Sequence, residues 1–105
     1  MPTPRIPIDM QRIADFCRRH HIRRLSLFGS VLRDDFGPDS DVDFLYVFED
    51  GHTPGWDIVD IEDELARIIG RKVDFVSAKY LNPRVAAEVV PNALVVYDAG
   101  VADAA

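Results

Sequence analysis

The segment from Leu27 to Phe44, LFGSVLRDDFGPDSDVDF, constrains this chain more than any other stretch. Its ends carry large apolar residues suited to a buried sheet, and between them lie Asp34, Asp35, Asp39, Asp41 and Asp43. Carboxylates this close to a core repel one another, and burial disfavours their charged form. A fold built on such a segment must bury the flanks and still give the acids water or a counter-charge.

The rest of the chain supplies elements for that fold. Ile8 to His20 reads as a helix with Ile13, Phe16 and Cys17 on one face. Arg24 to Phe28 is a short strand, interrupted by Gly29-Ser30, and Val31 to Asp35 is a short helical turn. Phe36 to Ser40 is a loop marked by Gly37-Pro38, and Asp41 to Phe48, rich in Val, Phe and Tyr, is a strand. Asp50 to Pro54 turns. A helix from Trp56 to Ile69 then carries the stripe Ile58, Ile61, Leu65, Ile68 and Ile69, with Gly70 at its C-terminal end. Lys72 to Ser77 is a third strand. Asn82 and Pro83 suit the N-cap and first position of a helix reaching Val90, and Ala93 to Tyr97 is a last strand. Strands alternating with helices imply an α/β (α+β) fold, a small mixed sheet of about four strands packed by helices. One domain spanning residues 1–105 is expected, with 1–7 a loose lead-in and 99–105 a frayed tail.

Bulk properties exclude some functions. The net charge of −6 argues against direct nucleic-acid binding, which needs a basic surface. No apolar run approaches the roughly 20 residues that span a bilayer, so no membrane partner is expected. Cys17 is the only cysteine, and the N-terminus lacks the apolar stretch of a secretory signal. A reducing cytoplasm is the expected compartment.

The chemistry lies in three short patterns. Asp41 and Asp43 are separated by one residue, so on a strand both side chains point to one face while Val42 and Phe44 point to the other. A divalent cation removes their mutual repulsion, and Mg²⁺ takes one or two protein carboxylates together with substrate phosphates. Ten residues upstream, Gly29-Ser30 sits between a strand and a helical turn; glycine admits close approach of a ligand, and free N–H groups with a serine hydroxyl suit phosphate. Asp74 stands in the otherwise apolar strand RKVDFVS, where a buried carboxylate is costly unless paired or coordinated. If its strand neighbours that of Asp41 and Asp43, the three carboxylates can hold two metals and take a proton from an attacking hydroxyl.

The pattern GSxxR…SDxD, formed by Gly29, Ser30, Arg33, Ser40, Asp41 and Asp43, resembles that of the minimal nucleotidyltransferases of the polymerase-beta-like superfamily. The resemblance continues through ELARIIGRKVDFVSAKYLNP to PNALVVYDA, nearly the whole chain. It implies a polymerase-beta-like fold, nucleotide binding by Gly29, Ser30 and Arg33, and Mg²⁺ (two ions) held by the catalytic Asp41, Asp43 and Asp74. The family commonly has glycine after the arginine; here Asp34 follows it. The implied reaction transfers AMP from ATP to an acceptor hydroxyl. The chain has no residues left for a second, substrate-covering domain, so the expected acceptor is another macromolecule. The resemblance suggests a HEPN ribonuclease toxin, modified on a tyrosine and thereby neutralised, with this chain its antitoxin. The alternatives are a non-catalytic antitoxin that acts by binding, and a transferase for small molecules such as aminoglycosides. Base preference and homo- or hetero-oligomerisation are not specified.

Simpler readings apply to other residues. Asp41 and Asp43 could be solvated strand-start charges, and Asp74 an edge-strand charge. Asp34, Asp35 and Asp39 fit a solvated loop, and Ser40 a turn that leads into Asp41. The basic run from Arg18 to Arg24 suits a helix C-terminus complementing the dipole. His20, His21 and His52 read as surface residues, Cys17 as core, and Trp56 as a core anchor in preference to the alternative of an exposed partner contact.

Overall fold

A computed structural model of the chain describes residues 6–52 and 54–100, so the expected looseness of 1–5 and 101–105 lies outside the described residues. The first helix, α1 (Met10–Arg19), is capped by Asp9, whose carboxylate accepts the Arg12 backbone N–H at 3.2 Å. Strand β1 (Ile22–Phe28) leads into a single 3₁₀ turn over Gly29–Leu32, and β2 (Val42–Phe48) follows the 33–41 loop. Helix α2 (Ile58–Ile69) ends at Gly70 in the left-handed conformation, and β3 (Val73–Ser77) begins three residues later. Helix α3 (Pro83–Val89) has Asn82 as N-cap and Pro83 in its first turn, and β4 (Leu94–Asp98) closes the sheet.

The sheet order is β3-β2-β1-β4, with β1 antiparallel to both β2 and β4, and β2 parallel to β3. This is the mixed sheet that the alternating pattern implies. The parallel pair is possible because α2 serves as the crossover between β2 and β3.

Helices α1 and α2 cover one face. Ile13, Phe16 and Cys17 of α1 and Ile61 and Leu65 of α2 pack with Leu25, Leu27, Val42, Phe44, Val73 and Tyr97 in one core. The two helices are joined by Glu64, which accepts from Arg19 and bonds the His20 ring at 3.0 Å. The Arg19 hydrogen bond, reinforced by His20, holds the Glu64 carboxyl below its usual range. Burial pushes the Cys17 thiol up to about 12, making it an inert core residue. Among the described residues, no helix is long and apolar enough to cross a membrane.

Several boundaries differ from the sequence reading. β1 begins at Ile22 rather than Arg24, because the Ile22 side chain is fully buried against the helices. The helical turn starts at Gly29 itself, not at Val31. α2 starts at Ile58, and Trp56 lies in the turn before it, 96% exposed. Trp56 is therefore not a core anchor: it precedes the helical stripe that faces the sheet. β3 is an edge strand and Asp74 is exposed, so the desolvation cost expected of a buried strand does not fall on Asp74.

Candidate functional site

The residues singled out from the sequence meet at one end of the β1–β2–β3 group. The strand registers bring them there. Phe28, the last residue of β1, is opposite Asp43, and across the parallel pair Asp43 is level with Asp74. The core-facing neighbours, Val42 with Val73 and Phe44 with Phe75, fix that register from the other face, since a slip of one residue would turn the carboxylates into the core.

Gly29 lies directly against Asp43. Its φ is +77°, a left-handed conformation open chiefly to glycine, and a Cβ there would stand 2.4 Å from Asp43 Oδ2. Two separate demands, backbone conformation and space, thus select glycine. Ser30 follows in the turn, where its carbonyl accepts the Arg33 N–H at 2.9 Å. The turn is a single 3₁₀ unit and presents Ser30 next to the carboxylate-bearing end of β2.

Asp43 is the electrostatic centre of the group. Burial raises its pKa first, and the neighbouring charges of Asp74 and then Asp41 raise it further; Arg33 acts in the opposite sense. The guanidinium of Arg33 also donates from Nε to Asp35 at 3.1 Å on the surface. Asp41, immediately before β2, has Lys72 Nζ at 3.9 Å. Lys72 is 82% exposed, so that pair contributes little to stability.

The three carboxylates do not converge on one point: among the described residues, no three His, Cys, Asp or Glu side chains are grouped to hold a metal ion. The donor chemistry nevertheless suits a hard cation. The set is all carboxylate oxygen, and Asp43 carries a charge that its surroundings disfavour.

Asp34, Asp35 and Asp39 are exposed loop residues, as read from the sequence. Ser40 is a turn residue: its hydroxyl accepts the Gly37 N–H at 3.0 Å, and its own N–H bonds the Gly37 carbonyl. His21 and His52, distant in sequence, stack with ring centroids 3.9 Å apart. The sequence reading passed over Arg71, which grips the loop preceding Asp41. Its only local signal is its place just after the glycine that ends α2, and its partners lie more than 30 residues away.

Comparison with known proteins agrees with this frame. The chain belongs to the polymerase beta nucleotidyltransferase family, whose sequence profile matches residues 11–100. A protein of Methanocaldococcus jannaschii named as a protein adenylyltransferase, MJ0435, is 30% identical over 73 residues, covering 70% of this chain and 77% of the relative. A solved structure assigned as a minimal nucleotidyltransferase is 35% identical with a TM-score of 0.69, covering 81% of this chain and 86% of the other. The fold is also shared, at 19% identity and a TM-score of 0.63, with a complex of a tri-AMPylated Shewanella oneidensis HEPN toxin and its MNT antitoxin; 90% of this chain and 73% of the other are covered.

Proposed function

We propose that this chain transfers AMP from ATP to a hydroxyl, most simply a tyrosine, on a HEPN ribonuclease toxin and so acts as its antitoxin in the cytoplasm. One observation carries the reading: Asp43 is held in register with Asp74, beside Asp41 and directly against Gly29. A structural charge cluster gains nothing from three mutually repelling acids, whereas a site for a cation and a triphosphate uses them. The names borne by the relatives support a protein acceptor.

The roles divide by position. Gly29 and Ser30 receive the triphosphate, because the glycine brings the turn directly against the Asp43 carboxylate and the turn supplies N–H and hydroxyl donors. Arg33 adds positive charge near the same point. Asp41, Asp43 and Asp74 would hold Mg²⁺, which when bound neutralises the charge developing on the phosphate oxygens. Asp74, on the exposed edge strand, is the carboxylate a macromolecular acceptor reaches most readily, and it takes the acceptor proton. The acceptor oxygen bonds to the α-phosphorus as the bond to the β-phosphate bridge breaks, and pyrophosphate leaves. The protein's contribution is to align these groups and offset their charge.

Incubating the chain with its HEPN partner, ATP and Mg²⁺ tests the proposal. Mass spectrometry should find the toxin heavier by one or more AMP groups, attached to a hydroxyl. An unmodified toxin that is nevertheless silenced would establish the binding-only reading instead.

A further inference from the structure

We propose that Arg71 is the positioning residue of this site, a cationic clamp that sets Asp41 beside the Asp43–Asp74 pair; the assignment of a role in transfer rests on the function proposed above. Nη2 of Arg71 lies 2.7 Å from the Gly37 carbonyl oxygen, 2.9 Å from that of Pro38 and 2.9 Å from that of Ser40. The guanidinium also covers the Phe36 ring at 4.4 Å from its centroid. One nitrogen with two hydrogens thus serves three carbonyls, so one hydrogen is shared. The positive charge offsets three dipoles that converge and would otherwise repel. Lysine has a cation but not the planar face that covers Phe36.

The location gives the clamp its consequence. The loop it grips, 36–40, runs directly into Asp41 and β2. The next residue on the arginine's own side, Lys72, accepts the Val42 N–H at 3.0 Å, and two residues further Asp74 stands level with Asp43. Arg71 therefore bridges the two chain segments from which the acids come, on the side where the parallel pair begins. Hydrogen bonding within β2 and β3 sets the relation of Asp43 to Asp74. Asp41 precedes the first strand residue, and it depends on the loop for its place. An arginine serving only as a loop staple could have been placed anywhere along the loop; this one sits at the root of the strand carrying the third acid.

The test uses Arg71→Lys and Arg71→Met in the whole chain, with Phe36→Leu, which removes the stacking but leaves the donors, as a milder companion. Amide hydrogen exchange is read first, without nucleotide or partner. Faster exchange at Ser40 and Val42, tenfold or more, is expected, with exchange in β1 and β4 unchanged. Mn²⁺ titration in the presence of ATP is read next by electron paramagnetic resonance, followed by transfer to the toxin. Arg71→Lys should weaken Mn²⁺ binding at least fivefold and lower kcat by about tenfold, while KM for the toxin changes less than twofold. Phe36→Leu should fall between wild type and Arg71→Lys in all three. Unchanged exchange at Ser40 and Val42, or unchanged Mn²⁺ affinity with wild-type kcat, overturns the proposal. So does loss of protection spread evenly through the sheet, in Phe36→Leu if the arginine variants do not fold. A wild-type chain that binds no Mn²⁺ and transfers no AMP would instead refute the proposed function, with the exchange result still reporting the grip on the loop.

Discussion

Asp43 combines two conflicting demands, and its titration exposes the conflict. Its folded pKa lies above the ordinary value because burial and two like charges penalise the carboxylate. A raised folded pKa means that the stabilising contribution of the protonated form is present below the unfolded value and is lost as pH rises through the folded one. Asp43→Asn removes that loss. In EDTA the variant should therefore melt above wild type at pH 7, with the gap closing towards pH 4, while transfer of AMP falls at least about 100-fold, the scale expected when a principal charge-stabilising group is lost. A variant that melts below wild type at pH 7 would show that the carboxylate is stabilised where it stands. Gly29 is the complementary case. Gly29→Ala faces left-handed strain of about 1–2 kcal/mol and, in addition, a Cβ placed 2.4 Å from the Asp43 carboxylate. Chemical denaturation should show a loss of at least that size, and triphosphate binding should weaken with it.

At the scale of elements, the vulnerable member is β3. Like β4 it is an edge strand of five residues, but it alone of the two carries an acid of the site, Asp74, and among the described residues β2 is its one strand neighbour. Helix α2 protects it: Glu62 Oε1 accepts the Phe75 N–H at 3.2 Å, so a backbone donor at the edge is satisfied from the side. The bond ties the crossover helix to the strand it delivers. Glu62→Ala should cost about 1 kcal/mol and speed exchange of the Phe75 amide well beyond that of β1 amides. Equal acceleration in both strands would mean that Glu62 stabilises the fold globally, with no special hold on the edge. Edge strands also invite pairing with other chains, and this one limits the opportunity by being short and by bearing Asp74 and the flanking Lys72.

For the molecule as a whole, the architecture separates packing from chemistry. Helices α1 and α2 occupy one face of the sheet, and Asp43 and Asp74 project from the other. Binding and catalysis can therefore be uncoupled by substitution without dismantling the core. Asp41→Asn with Asp43→Asn should leave the fold intact and, in cells carrying the toxin, abolish protection if neutralisation proceeds by AMP transfer. Growth equal to that with the unaltered chain would assign neutralisation to contact alone. Exposed Trp56 and Tyr80, 96% and 76% accessible, lie away from the acidic group and are suited to contact whatever the outcome.

Local rules carried the identification of most elements. Helix α1 was legible because Ile13, Phe16 and Cys17 recur at helical spacing, and the ends of α2 and α3 because Gly70, Asn82 and Pro83 each do a specific job at a helix terminus. The Asp41-x-Asp43 pair and Gly29-Ser30 stood out because alternate spacing on a strand predicts two acids on one face and the glycine marks a turn upstream, although β2 begins only at Val42. Trp56 misled because residue type favours burial, while its place in the turn before α2 exposes it. Arg71 escaped notice because its value comes from three carbonyls on a remote loop, and carbonyls carry no sequence signal.

What the residues themselves determined is the periodicity of each element, the acidic pair and the glycine turn, since these depend on neighbours within a few positions. Only the tertiary structure decided that β3 lies at the edge beside β2, that Asp74 is level with Asp43, and that Arg71 grips the loop entering Asp41. Strand neighbours and register are settled by packing between residues far apart in the chain, through contacts that no local pattern encodes.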